Sequence, residues 1–162
     1  MANWLINLNW KFHGEIWQNC RRNRRAAIGW GQDSEDDLKT DNSYNRGYQR
    51  ASGYFKRIKV GDCVVAFLKN YRLGCWGTVT EPYNELIFEP QLAAKTKEAD
   101  FGRVIHVRWE NVNTPPINQA ARMRPEDVRG FSCRRTINPL KSPEVVGRLK
   151  RIIANRSRWE SL

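Results

Sequence analysis

Hydrophobic positions change period along this chain. Trp4–Leu8 alternates and has enough aromatic and β-branched content to predict a first strand. Phe12, Ile16 and Cys20 then recur every four residues, so 12–25 predicts a helix with those side chains on its buried stripe. Arg21, Arg22, Arg24 and Arg25 close that helix, where cations suit the helix dipole. A short apolar segment, Ala27–Trp30, is followed by a polar, acidic loop over 32–41. Asp41 or Asn42 offers a cap for a second helix over 41–53, with Tyr44 and Tyr48 on one side.

The middle of the chain reads as strands. After the turn signal Val60-Gly61-Asp62, the apolar run Cys63–Leu68 predicts a buried strand. Asn70-Tyr71-Arg72 connects it to a second strand, Leu73–Thr80, giving a hairpin. Gly74 and Gly77 inside that second strand predict a bulge or the close approach of another backbone. A short strand is expected over 85–89. Ile105, Val107 and Trp109 alternate with His106 and Arg108, placing a strand over 101–109. A loop over 112–118 carries Pro115-Pro116, and a short helix starts at Pro125. Pro143–Asn155 predicts a C-terminal helix with Val145, Val146, Leu149, Ile152 and Ile153 on one face and Arg and Lys on the other. Strands in the middle, helices near the ends and no βαβ repeat make the fold class α+β, a small mixed or antiparallel barrel in a single domain spanning 1–162.

Charge sharpens this picture. The chain has 162 residues and a net charge of +11. Residues 1–60 contribute +5, residues 61–110 contribute −1 and residues 111–162 contribute +7. If the two ends meet in space they form one basic face, and a polyanion is the expected partner. Most of the excess is Arg, whose planar fork suits phosphate. Besides the run at Arg21–Arg25, a looser set comprises Arg122, Arg124, Arg134, Arg135, Arg148, Arg151, Arg156 and Arg158. No apolar run approaches the length of a membrane span, so no membrane partner is expected. Met1–Phe12 lacks the features of a secretory leader, and a cytoplasmic location is expected.

Candidate chemistry is sparse. Cys20, Cys63, Cys75 and Cys133 are separated by 43, 12 and 58 residues, too widely for a zinc site, and read as reduced thiols. His13 and His106 stand alone. No nucleophile elbow, P-loop, zinc-protease helix or dinucleotide motif occurs. The nearest approach to a metal-dependent nuclease is Asp37-Leu38-Lys39, after Asp33 and Asp36, in what reads as a solvated loop. No catalytic residue, cofactor or metal is assigned, and the expectation is a protein that is not an enzyme.

Aromatic residues are the stronger signal. Trp4, Trp17 and Trp109 sit where strands or a helix would bury them. Trp30 differs: Gly29 and Gly31 flank it, which suits a ring at a tight turn with room for a flat partner. A nucleobase is such a partner, and stacking contributes about 1–3 kcal/mol per base.

Five segments in order carry a resemblance. They are Trp4-Leu5-Ile6, Ala27-Ile28-Gly29-Trp30-Gly31, the run Val60–Phe67, the run Leu73–Val79, and Arg103–Trp109. Together they resemble the PUA-like superfamily, in particular EVE and YTH-like modules and the N-terminal recognition domain of McrB-type restriction systems. That resemblance spans about residues 3–110; the last 50 residues match loosely. It implies a barrel of five or six strands flanked by helices, with an aromatic pocket that accepts a base flipped out of nucleic acid. By that likeness the pocket comprises Asn9, Trp10, Ile28, Gly29, Trp30 and Gly31, with Phe67 or Trp76 as the opposite wall. Asn9 would bond the base edge. The phosphate backbone would meet Arg21, Arg22, Arg24, Arg25, Arg134 and Arg135. The Arg21–Arg25 run and the acidic loop depart from the shared pattern.

The expected function is therefore recognition of a modified, methylated base in double-stranded DNA by base flipping. The chain would be the specificity domain of a modification-dependent restriction system, fused to or partnered with a motor or nuclease. The alternatives are an RNA-binding module reading a modified adenine in single strands, and a small metal-dependent nuclease.

Overall fold

A computed structural model describes residues 1–8, 15–28, 43–87, 103–110, 116–133 and 135–162. Strand β1 (Asn3–Asn7) is followed by helix α1 (Glu15–Arg22) and strand β2 (Arg25–Ile28). Helix α2 (Ser43–Phe55) precedes the hairpin of β3 (Cys63–Leu68) and β4 (Arg72–Glu81). Then come β5 (Arg103–Trp109), β6 (Gln119–Arg122), a short 3-10 turn (Pro125–Val128), β7 (Ile137–Pro139), helix α3 (Pro143–Ala154) and β8 (Trp159–Ser161). The fold is α+β, and its sheet curls into a half-barrel.

The sheet runs β2-β5-β4-β3-β1-β7, with β6 branching from β4 and β8 pairing with β6. It is mixed: β1 lies parallel to β3, in register from Asn3 opposite Cys63 to Asn7 opposite Phe67, and the other pairs are antiparallel. The parallel pair explains why Cys63–Leu68 is apolar throughout. All six of its residues are buried, because both faces of the strand are covered. On one face Val64, Ala66 and Leu68 join Trp4, Ile6, Ile16, Trp17, Phe55 and Ile105 beneath α1 and α2. On the other, Cys63, Val65 and Phe67 join Leu5, Leu149, Ile152 and Ile153 beneath α3.

The first helix is shorter at its C-terminal end than the four-residue period suggests. It ends at Arg22, and Arg24 takes a left-handed backbone, φ +52°, which turns the chain so that Arg25 can pair with His106. Ladder formation with β5 overrides the helical pattern there. The strand expected over 85–89 is not formed at its start: residues 84–87 make a turn, with the Ile87 N–H donating to the Asn84 carbonyl at 3.1 Å. Leu86 and Ile87 are exposed, so no neighbour draws them into a ladder.

Both strand glycines answer to close approach. A Cβ on Gly74 would lie 2.5 Å from the Trp17 ring, and one on Gly77 would lie 2.6 Å from the Arg108 carbonyl oxygen. Trp17 is fully buried and meets Trp109 edge-on, with ring centroids 5.1 Å apart. Beside Gly74 the β3–β4 register shifts between Val65 and Phe67. Trp4 and Trp109 are buried as expected.

Candidate nucleic-acid interface

Of the expected pocket residues, three can be placed. Ile28 is fully buried in the cluster under α1 and α2, whereas Phe67 is buried in the cluster under α3. The sheet therefore separates Ile28 from Phe67. Trp76 is half-buried against the α3 cluster, and its ring carries the Lys150 ammonium 3.8 Å from its centroid. That cation occupies a ring face that a base would need. Asn9, Trp10, Gly29, Trp30 and Gly31 lie outside the described residues. Strand directions add a constraint. β1, β3 and β5 run one way and β4 and β2 the other. The chain thus leaves β1 at the rim where β4 begins and leaves β2 at the opposite rim, where β1 and β3 begin.

The arginine run is divided by burial. Arg21 is only 2% exposed and donates from Nη1 to the Pro116 carbonyl at 3.3 Å, so it belongs to the interior rather than to a phosphate-facing surface. Burial lowers its pKa, and neighbouring Arg156 adds to that. The contact joins the first helix to the segment that leads into β6. Arg22 and Arg24 are exposed, and Arg25 is half-buried, its Nη2 donating to Asn19 Oδ1 at 3.1 Å. Arg135 is exposed, and Arg134 lies outside the described residues.

Several C-terminal arginines are structural. Arg148 donates to the carbonyls of Asp127 and Arg129 at 3.0 and 2.6 Å. Arg158 pairs with Asp127 at 2.6 Å, both side chains largely buried. Burial would raise the Asp127 pKa, but the Arg124 N–H and the Arg158 guanidinium outweigh it and hold the carboxyl below its ordinary value. Glu160 receives Arg72 at 2.8 Å and Arg122 at 3.5 Å, tying β8 to β4 and β6. These bonds fasten the last 50 residues to the sheet.

Another basic surface lies where β1 begins. A groove of about 820 Å³ is lined by Lys56, Arg57, Lys59 and Lys141, by Trp4 and Asp62, and by the chain at 1–3 and 139–140. All four cations are exposed. Lys56, Arg57 and Lys59 follow α2 directly, and Lys141 closes the turn between β7 and α3. Among the described residues of the lining, Asp62 is the single carboxylate. Its oxygens accept the Ala2 N–H at 2.9 Å, Trp4 Nε1 at 3.0 Å and the Lys59 N–H at 3.0 Å. Burial would raise its pKa, but those donors outweigh burial and hold it below the usual carboxylate value. The groove escapes a reading of arginines alone. Its sequence signal is the basic cluster Lys56-Arg57-Ile58-Lys59 directly before the turn; nothing local marks Lys141 as its partner.

Burial sets the character of the thiols. Burial pushes Cys20 up to about 12 and Cys75 and Cys133 up to about 11. Cys75 also donates to the Glu110 carbonyl. Among the described residues, no three His, Cys, Asp or Glu side chains converge as metal ligands, and no helix is long and apolar enough to cross a membrane.

Residues 4–125 match the family described as "Domain of unknown function (DUF8426)". The chain belongs to that family. A comparison with curated proteins finds no match. Among solved structures, the chain is similar to Rpa0253 from Rhodopseudomonas palustris, an NMR structure, at 10% identity and a TM-score of 0.45, over 95% of this chain and 94% of that one. It is also similar to the crystal structure of Atu2648 from Agrobacterium tumefaciens, at 12% identity and a TM-score of 0.45, over 99% of this chain and 100% of that one. Likenesses at that level say nothing about function.

Proposed function

We propose that this DUF8426 protein is a DNA-binding module of PUA-like, EVE-related architecture. It recognises a methylated base in duplex DNA by flipping it into an aromatic pocket, as the specificity domain of a modification-dependent restriction system in the cytoplasm. The observation that carries the proposal is the distribution of charge. The middle third is neutral and supplies the hairpin and β5 at the centre of the sheet, while exposed cations from both ends gather on its rims. The energetics are sufficient. Flipping costs a few kcal/mol, and stacking on one or two rings returns about 1–3 kcal/mol each. A methyl group adds about 0.8 kcal/mol, a several-fold preference.

Trp30→Ala tests the proposal. In paired titrations with methylated and unmethylated duplexes, the variant should keep most non-specific affinity and lose its preference, because phosphate contacts carry no sequence information. It should also melt near the wild-type temperature. Trp109→Ala is the control. That ring is buried and its Nε1 donates to the Arg25 carbonyl, so losing it should cost about 3–5 kcal/mol. Discrimination retained by Trp30→Ala refutes the pocket. Tighter binding to single-stranded RNA carrying a modified adenine than to any duplex would replace DNA by RNA. Magnesium-dependent cutting by the pure protein, lost on changing Asp37 or Lys39, would make it a nuclease.

A further inference from the structure

The groove at the start of β1 has a chemistry that the arginine run does not. We propose that it is the track for the sugar–phosphate backbone of the bound strand, lined by Lys56, Arg57, Lys59 and Lys141. This deepens the DNA-binding reading and rests on it.

Three observations point to a phosphodiester chain. First, the cations come from two remote segments, 56–59 and 141, and converge on one open groove of about 820 Å³, larger than a single phosphate needs. Second, two of them are open: among the described residues no carboxylate pairs with Lys59 or Lys141, and Arg57 lies over the Tyr54 ring at 5.9 Å rather than on a carboxylate. Lys56 is engaged, meeting Glu85 at 3.6 Å with both side chains about half exposed. Asp62, the one carboxylate among the described lining residues, has its oxygens turned to three protein donors. Third, the groove lies on the rim where β1 and β3 begin, which is also the rim where β2 ends at Ile28 and the chain continues to Trp30. Arg25 starts β2 at the opposite rim. A strand held by the groove would therefore pass on the rim where β2 ends at Ile28, not on the rim where Arg25 starts it.

The test is a salt titration of duplex DNA binding by fluorescence anisotropy. It compares wild type with the triple variant Lys56→Gln, Lys59→Gln, Lys141→Gln and with the double variant Arg22→Gln, Arg24→Gln. Each duplex phosphate contact contributes about 0.9 to the log–log salt slope. The triple variant should flatten the slope by about 2 to 3 and weaken methylated and unmethylated duplexes equally, leaving their ratio unchanged. The double variant should change the slope less. Lys141→Glu alone, at an exposed position in the turn between β7 and α3, should flatten it by at least about 1 and guards against a folding defect in the triple variant. A wild-type slope in both the triple variant and Lys141→Glu overturns the groove while leaving DNA binding standing. Failure of the wild type to bind duplex DNA overturns both proposals.

Discussion

Replacing Asp62 by Asn should destabilise the protein and at the same time tighten its hold on DNA. Asp62 is 5% exposed and accepts three hydrogen bonds, from Ala2, Trp4 and Lys59. An Asn at that place keeps one acceptor oxygen and turns an NH2 group toward at least one of those donors. One donor, most severely the largely buried Trp4 Nε1, is then left without a partner, at about 1–3 kcal/mol. For a chain of this length each kcal/mol moves the melting temperature by about 2–4 °C, so the variant should melt about 2–12 °C lower at neutral pH. The pH dependence follows from the direction of the pKa shift. Asp62 titrates lower in the folded protein than its ordinary value of 3.8. Its contribution is therefore fully present above about pH 4 and is lost as the pH falls through the folded value. Wild type and variant should converge in stability at the acid end of a melting series. In DNA titrations the variant should bind more tightly than wild type at low salt, because the groove loses the negative charge of Asp62. Equal melting at pH 7, or a difference that grows as the pH falls below 3.8, would refute the hydrogen-bond argument. Unchanged low-salt affinity would mean that Asp62 does not face the bound strand.

Gly74→Ala should lower the melting temperature, since its Cβ would press into the buried Trp17 ring at 2.5 Å and overpacking of this kind costs about 1–3 kcal/mol; a melt at or above wild type would show that the ring can move aside. Arg158→Ala should cost about 3–5 kcal/mol, because it strands the largely buried Asp127 carboxylate. Denaturant unfolding measures that loss, and Asp127→Asn combined with Arg158→Ala should recover part of it. A thiol reagent added to the native protein should react slowly with half-exposed Cys133 and hardly at all with Cys20, Cys63 and Cys75, whose burial raises their pKa. Four rapidly titrating thiols before denaturation would contradict the core packing.

What the sequence determined by itself follows from local periodicity. The apolar run at Cys63–Leu68 and the five-residue face of the last helix state their own burial, as does the alternation through Ile105, Val107 and Trp109, because each pattern needs only the geometry of one element to be read. Gly74 and Gly77 announced a close approach, though not that an indole would make it in one case and a neighbouring strand's backbone in the other. The strands β6, β7 and β8 carried no such signal. They are three or four residues long, too short for a period to show, and exist because a neighbouring strand supplies the ladder. The same holds for charge. Composition fixed the excess of +11 and its location in two thirds of the chain. Only the tertiary structure decided that Arg21 is interior, that Arg148 and Arg158 fasten the C-terminal segment, and that Lys141 lines one groove with Lys56 and Lys59. A side chain's charge is written in its own residue, but whether that charge meets solvent, a carboxylate or another cation depends on contacts between segments far apart in sequence.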